Sequence, residues 1–310
     1  MKAMGHDVMK NENAIIALAG AGGDLGGRIA KALTARGATV LALVRPDLTR
    51  VERTRVEATG ASLVPADPTD AGALAKVCAN AACVVSALSG LRSVMIDRQS
   101  ILLEAAVAAG VPRFIPSDFS EDFTNTRAGG NRNLDLRREF MARADQAPIQ
   151  VTSILNGAFL DMLGVEMPII QKGIHRVVYW RSADQPLDFT TKDDVAAFTA
   201  AAAMDIATPR TLRVAGDTVT VREIARILTT LSGRPYKPLG AGGIGTLSLM
   251  IRLTKLLAPQ RSKTFPPWQG MQYMRDMFSG QGKLHPLDNQ RYPDLRWTSV
   301  EDHLGRLGHW

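Results

Sequence analysis

The chain has 310 residues, enough for two domains of roughly 150 residues each. Hydrophobic residues make up 45% and charged residues 22%, near the globular average, which excludes a collagen-like, coiled-coil or disordered chain. The 37 Lys+Arg against 30 Asp+Glu leave a net charge of +7, which reads as a modest, dispersed excess without interleaved aromatic residues and argues against nucleic-acid binding.

From residue 14 onward, uniformly apolar runs alternate with amphipathic segments. Short runs of this kind are typical of parallel strands that are covered on both faces. Because crossovers between parallel strands are right-handed, this order predicts an α/β fold, a doubly wound parallel sheet of the Rossmann kind. The predicted strands are 14–19, 39–44, 61–66, 82–87, 113–116 and 150–155.

The turn after the first strand is rich in glycine, with Gly20, Gly22, Gly23 and Gly26 close together. Glycine lets a pyrophosphate approach the backbone, and the amides at the start of the next helix point at its negative charge. Because the turn follows a strand and opens a helix, it predicts dinucleotide binding, with a purely structural turn as the alternative. A second Gly-rich stretch, 240–245, follows two prolines and is predicted to be a loop and helix cap.

The end of the second strand indicates which dinucleotide is bound. Folds that bind NAD place Asp or Glu there to hold the ribose hydroxyls, whereas this chain has Arg45. A guanidinium pairs well with the 2′-phosphate of NADP(H), and Arg50 or Arg53 could contribute nearby. Asp47 would favour NAD(H) instead, but it lies beyond Pro46 and outside the strand end. The sequence therefore predicts NADP(H).

Four further segments, 84–87, 111–119, 156–159 and 188–196, complete a resemblance to a known family. With the glycine turn, they make the chain similar to the NmrA-like and isoflavone-reductase-like branch of the atypical short-chain dehydrogenases over most of residues 13–205. The resemblance implies NADP(H) at the carboxyl ends of the strands. The cofactor-binding residues are then Gly20, Gly22, Gly23, Asp24, Leu25, Gly26, Arg45, Ala87, Leu88, Ser89, Ser117 and Asn156.

The usual proton donors of such enzymes are missing. None of the four tyrosines begins a Tyr-x-x-x-Lys motif, and there is no lysine between Lys76 and Lys172. The resemblance places the family's catalytic lysine position at Arg137, with Arg138 or Leu136 as the position if the register shifts by one residue. An arginine stays protonated, so it can orient a substrate oxygen or stabilise negative charge there, but it cannot readily donate a proton.

Two other polar residues, Ser117 and Asp118, end the fifth predicted strand and are the remaining catalytic candidates. A capping turn is an equally good interpretation of Asp118. The five histidines are scattered and no acidic cluster has ligand spacing, so no metal site is predicted.

Residues 13–156 are predicted to form the NADP-binding domain, and 157–310 a smaller α+β substrate-binding region whose Met and aromatic residues suit a small, apolar, aromatic substrate. Cys78 and Cys83 have the wrong spacing for a redox motif and are predicted to be packing thiols. No apolar run approaches the roughly 18 residues of a membrane span, so a cytoplasmic protein without a membrane partner is expected. Association with a second copy of the chain stays open.

Two functions compete at this point. The first is an NADPH-dependent reductase with hydride delivered beside Ser117, Asn156 and Arg137. The second is a protein of the NmrA type that binds NADP(H) without turnover and signals the redox state of the cofactor to a partner, which the missing lysine would permit.

Overall fold

The computed structural model describes residues 13–308 and 310, and its largest sheet has six strands. Their order is β3-β2-β1-β4-β5-β6, and every neighbouring pair is parallel. This order is that of the doubly wound dinucleotide-binding fold, so the predicted fold class is confirmed. The strands are β1 (Ile15–Ala19), β2 (Thr39–Val44), β3 (Ser62–Pro65), β4 (Cys83–Ser86), β5 (Arg113–Ile115) and β6 (Gln150–Val151).

The central strands are buried along almost their whole length. Ile16, Leu18 and Val85 have no exposed surface, as expected for strands covered on both faces. The helices that follow the strands turn apolar stripes inward; in the first of them, Ile29 and Leu33 are fully buried. These helices are α1 (Asp24–Ala35), α2 (Arg50–Glu57), α3 (Ala71–Cys78), α4 (Gln99–Ala108), α5 (Arg132–Ala144) and α6 (Lys192–Met204), and a π-helical turn over Ser93–Arg98 precedes α4.

Within the described residues, the remaining elements include three smaller sheets and four α-helices. Their orders are β14-β10-β9, β13-β11-β8 and β12-β7. The strands are β7 (Ser153–Leu155), β8 (Ala158–Phe159), β9 (Ile170–Gln171), β10 (Arg176–Tyr179), β11 (Leu187–Thr190), β12 (Thr211–Arg213), β13 (Asp217–Val219) and β14 (Lys237–Gly240). The helices are α7 (Val221–Ser232), α8 (Ile244–Leu257), α9 (Pro267–Ser279) and α10 (Val300–Leu307).

The chain divides into two compact units that are discontinuous in sequence. One unit contains the described residues up to Ser117 together with Phe140–Ile154 and Val195–Leu212. The other contains Asp118–Glu139, Leu155–Asp194 and Arg213–Trp310. The sequence predicts two domains, 13–156 and 157–310. The boundary between them after residue 156 stays a prediction.

The predicted sixth strand, 150–155, is too long. Thr152 still donates its backbone N–H to Phe114 O (3.0 Å), but the next residue, Ser153, donates to Arg210 O (2.9 Å). The Thr152 hydroxyl also donates to Pro209 O (2.9 Å), away from the ladder of β5. Residues 150–155 therefore form two strands in different sheets, because the partner of the second is distant in sequence.

Helix α2 lies in the basic stretch after β2, where no helix is predicted. It begins with a capping box, in which Thr49 Oγ1 accepts from the Glu52 N–H (3.3 Å) and Glu52 Oε2 accepts from the Thr49 N–H (2.9 Å). Such a box is a readable start signal. The mean hydropathy of α2 is low, and Val56 is its only buried residue. The helix therefore lacks an apolar stripe by which the sequence would indicate it.

The Gly-rich stretch 240–245 opens α8, as predicted, with Gly243 as the N-cap. The two prolines before it do not exclude a strand, since Pro238 lies in β14, an edge strand that pairs only with β10 in its sheet.

Candidate cofactor and active site

The glycine turn is shaped by two close approaches. A Cβ on Gly20, whose φ is +89°, would lie 2.6 Å from Ala87 O, at the end of β4. A Cβ on Gly26 would lie 2.0 Å from Gly20 O, where α1 packs on the turn. Any side chain at either position would push these backbone segments apart, so both glycines are required by the geometry.

The start of α1 can attract an anion through its backbone amides. The N-cap is Gly23, which has no side-chain hydrogen bond to the first turn. The first amides of a helix lack partners within the helix and carry its positive dipole end. Asp24 brings a negative charge to the same turn, but Arg28 binds its carboxylate at 2.8 Å and compensates it. Leu25 follows, half-buried.

Arg45 comes directly after β2 and its side chain is 53% exposed. Its Nη2 lies 3.6 Å from Glu52 Oε1 and its Nε lies 3.8 Å from Asp47 Oδ1. Hydrogen bonds from Thr49 lower the pKa of Glu52, so this carboxylate stays charged. Both contacts are longer than hydrogen bonds, which leaves the guanidinium available to a phosphate.

Two loops at the carboxyl ends of β4 and β5 are tied together by Ser117. Its hydroxyl donates to Leu88 O (2.6 Å), and its backbone N–H donates to Oε1 of the buried Gln99 (2.9 Å). Ala87 remains on the ladder through a bond to Ala19 O (2.9 Å), whereas Ser89 is exposed. Because the hydroxyl proton of Ser117 is engaged, this residue positions the Leu88 loop in the structure.

The second unit contains Asp118, Asn156 and Arg137. Asp118 is fully buried and its carbonyl accepts from Ser120 Oγ (3.0 Å). Asn156 is fully buried too; its Nδ2 donates to Gly157 O (3.2 Å), and its Oδ1 has no hydrogen-bond partner among residues 13–308. A buried amide oxygen without a partner is costly, which marks Asn156 as a residue that can accept from a ligand.

Arg137 and Arg138 have different roles. Arg138 binds Asp135 (2.6 Å) and donates to Phe123 O (2.6 Å), so its contacts are structural. Arg137 is a half-buried residue that donates from Nη1 to Asn133 O (3.1 Å), while its buried Nε has no partner in the described part of the chain. Of the two arginines, Arg137 has donor capacity to spare.

A buried acid faces Arg137, and sequence reasoning missed it. Glu121 is 3% exposed, and neither of its carboxyl oxygens has a hydrogen-bond partner among the described residues. Burial and then the Asp276 charge raise the pKa of Glu121 well above its ordinary value, opposed by Arg275 and Arg137. Its carboxyl group therefore holds a proton at pH values where ordinary glutamates are ionised. The only signal in the sequence is an acid close after a strand end.

Tyr273, on α9, completes this cluster. Its hydroxyl interacts with the side chains of Asn133 and Arg137. Burial raises the pKa of Tyr273, and the Arg137 charge partly offsets this effect. Beside it, Asp276 is held by Asn131 Nδ2 (3.0 Å) and by Arg275 Nη2 (2.7 Å). Tyr273 thus belongs to a polar cluster with Glu121 and Arg137.

Two cavities lie in different parts of the described structure. A pocket of about 640 Å³ lies at the amino ends of β4 to β6, with Arg113 as the only titratable side chain in its lining. That guanidinium donates to the carbonyls of Ala202 and Asp205 at the end of α6, so it serves the fold. A cavity of about 10 Å³, barely the volume that a water needs, touches Glu121 in the second unit.

Cys78 and Cys83 are buried free thiols, as predicted, and burial raises the pKa of each to about 11. Within residues 13–308, no three His, Cys, Asp or Glu side chains are grouped so that they could hold a metal ion. The helices described here include none long and apolar enough to cross a bilayer.

The strand order and the glycine turn define a doubly wound, dinucleotide-binding protein. Residues 12–238 match the model of the NmrA-like family, and the chain belongs to that family. Pinoresinol reductase 1 of Arabidopsis thaliana is 28% identical, with 95% of this chain and 97% of the relative covered. The predicted resemblance is thereby confirmed.

Solved structures share the fold over nearly the full length. A structure of AtPrR2 with NADP+ and (+)pinoresinol has a TM-score of 0.76 at 23% identity and covers 96% of this chain and 99% of that one. The binary complex of leucoanthocyanidin reductase and NADPH from Vitis vinifera has a TM-score of 0.75 at 18% identity, covering 94% and 99%. At these identities the likeness establishes the fold.

Proposed function

We propose that the protein is an NADPH-dependent reductase of a small, apolar, aromatic substrate. The observation that carries the proposal is the exposed Arg45 at the end of β2, next to a glycine turn in which Gly20 and Gly26 are sterically required. Relatives support it, since they include a pinoresinol reductase and solved structures that hold NADP+ or NADPH.

The residues fit the dinucleotide. The amides at Gly22 and the start of α1 would hold the pyrophosphate, while the Gly23 N–H closes the turn on Gly20 O (3.0 Å), and Arg45 would bind the 2′-phosphate. Ser117 would act through the Leu88 loop that it anchors, and the unpartnered Oδ1 of Asn156 would accept a hydrogen bond from the ligand. Bound NADPH would supply the hydride that the reduction requires.

The chain must supply a proton and stabilise the substrate oxygen. Arg137 would orient that oxygen through its spare Nε donor, but its permanent charge prevents it from giving up a proton. Glu121 can donate the proton that Arg137 cannot. Its carboxyl group is buried beside Arg137 and stays protonated to a higher pH than an ordinary glutamate. We assign the proton to Glu121 and the orientation of the oxygen to Arg137.

Two observations favour a second function. The hydroxyl proton of Ser117 is engaged by Leu88 O, and no lysine occurs between Lys76 and Lys172, so the donors expected of an isoflavone-reductase-like enzyme are missing. A protein of this kind could bind NADP(H), turn nothing over and signal the redox state of the cofactor to a partner.

One experiment separates the two functions. Purified protein is titrated calorimetrically with NADPH and then assayed for NADPH oxidation with a panel of aromatic ketones, enones and benzylic ethers. Binding with turnover of at least one compound is the expected result. Binding without any turnover would favour the sensor, and the absence of NADPH binding would reject both functions.

A further inference from the structure

The net positive charge of this protein arises in one segment of the sequence. Between Glu223 and Asp276 the sequence has 52 residues without Asp or Glu and with eight Lys or Arg, whereas the rest of the chain carries 29 Lys+Arg against 30 Asp+Glu. The composition suggests that the excess of Lys and Arg over Asp and Glu is dispersed. The sequence instead places this excess within residues 224–275. The eight are Arg226, Arg234, Lys237, Arg252, Lys255, Arg261, Lys263 and Arg275.

Helix α8, in the middle of this segment, is apolar on two opposite sides. Leu247 and Ile251 are buried in the core of the second unit. At about 100° per residue, four other leucines fall within a sector of roughly 100° on the other side. These leucines are Leu249 (55% exposed), Leu253 (50%), Leu256 (77%) and Leu257 (82%).

The loop after α8 extends the exposed apolar surface and is fixed in place. Arg132 donates to Lys263 O (3.1 Å) and Thr264 O (2.6 Å), and Trp268 Nε1 donates to Pro259 O (2.9 Å). Phe265 in this loop is 61% exposed. We call the surface formed by the four exposed leucines and Phe265, together with the exposed cations Arg252, Lys255, Arg261 and Lys263, the basic apolar face.

Such a surface is unusual for a side of a protein that meets only water. Exposed apolar residues are normally scattered, whereas here a contiguous set lies on one helix and the adjoining loop. Leucine and phenylalanine prefer the acyl boundary of a bilayer, while lysine and arginine extend their stems along it and pair with anionic headgroups. Helix α8 has 14 residues, too few to span a membrane, so it would lie in the interface.

We propose that the basic apolar face binds the surface of an anionic lipid bilayer, with α8 lying in the plane of the headgroups. The proposal is independent of the reductase function, because it rests on charge and exposure alone. It goes beyond the absence of a membrane-spanning helix, since a surface contact needs none.

The charges argue against the other occupants. A second copy docked through the same face by a two-fold axis would bring like charges together, with no acid on either side between residues 224 and 275. A nucleic acid would use the cations, but it would leave the exposed leucines in water, and the face offers one aromatic ring, Phe265, where a strand of bases stacks on several. An anionic bilayer would bury the apolar side chains of the face and pair its cations with lipid headgroups.

The test uses the full chain and sucrose-loaded vesicles of phosphatidylcholine, with or without about one third phosphatidylglycerol. We expect binding to the anionic vesicles to exceed binding to neutral vesicles by at least about tenfold, and to fall when salt is raised. Arg261→Glu with Lys263→Glu should weaken binding at least about 25-fold, because each lost cation costs about fivefold and each new carboxylate is repelled by the anionic surface. Leu256→Glu with Leu257→Glu should abolish it.

Matched controls come from elsewhere in the chain. Val165→Glu changes another exposed apolar residue (68% exposed), and Lys31→Glu with Lys76→Glu removes two cations from α1 and α3; both should bind like the wild type. Because Cys78 and Cys83 are buried, Leu257→Cys can be labelled selectively with a polarity-sensitive dye, and Val165→Cys serves as its reference. The emission should shift to the blue on anionic vesicles only for the label at position 257.

Three results would overturn the proposal. The first is equal binding of the wild type to neutral and anionic vesicles, or no binding to either. The second is an emission shift at 257 that matches the one at 165. The third is a loss of oligomer mass in the ultracentrifuge on Leu256→Glu with Leu257→Glu, without vesicle binding by the wild type, which would make the face a contact between copies. If that double variant fails to fold, the labelled Leu257→Cys protein still decides the matter.

Discussion

Replacing Arg45 by Asp should remove the preference for NADPH over NADH. In the structure, this guanidinium is 53% exposed and only loosely shared by Asp47 at 3.8 Å and Glu52 at 3.6 Å, so little is lost when a phosphate takes their place. A hydrogen bond to a charged group contributes about 1.5 to 3 kcal/mol, which corresponds to roughly 10- to 150-fold in affinity. After Arg45→Asp, the phosphate would meet three carboxylates and lose its cation.

Calorimetric titration of both cofactors measures the effect. We expect the Kd of NADPH to rise at least tenfold and that of NADH to change little. Lys31→Asp, on the exposed side of α1, is the control for net charge and should leave both constants unchanged. Asp47→Asn, which removes one competing acid, should tighten NADPH binding about two- to threefold. An unchanged NADPH constant in Arg45→Asp would place the phosphate elsewhere and refute the reasoning.

Three further predictions concern the two units separately. Arg137→Ala should lower kcat about a hundredfold without weakening NADPH binding, and Arg137→Lys should keep part of the rate; wild-type rates in both variants would remove this residue from the mechanism. Glu121→Gln should abolish turnover and raise the thermal midpoint, with a gain that grows as the pH rises above 4.5. Above that pH the carboxyl ionises in the unfolded chain while the folded protein keeps it protonated, so the wild type loses stability until the pH passes the raised pKa of the folded state. A pH-independent gain would contradict its buried, protonated state. Gly26→Ala should lower the free energy of unfolding by about 1 to 3 kcal/mol and weaken NADPH binding, since its Cβ would lie 2.0 Å from Gly20 O. In the control Gly27→Ala, the Cβ would lie 3.4 Å from its nearest neighbour. Denaturation and NADPH titration of this control should match the wild type.

The sequence by itself determined the features that depend on neighbours in the chain. β2 spans Thr39–Val44 as predicted, and β1 differs by one residue, because an apolar run between turn signals needs no distant information to become a buried strand. The glycine turn and the position of Arg45 follow from the same local order of strand, turn and helix. The family resemblance rests on these motifs for the same reason.

Tertiary structure decided what depends on partners far away in sequence. The predicted strand 150–155 is divided because the Ser153 N–H donates to Arg210 O. The Ser117 hydroxyl donates to the carbonyl of Leu88, which lies 29 residues earlier in the chain. No spacing shows that Glu121 is shielded from water beside Arg137, or that α8 leaves a second apolar side exposed. Burial and electrostatic surroundings are sums over every element that packs around a group, so they emerge only when the chain is folded.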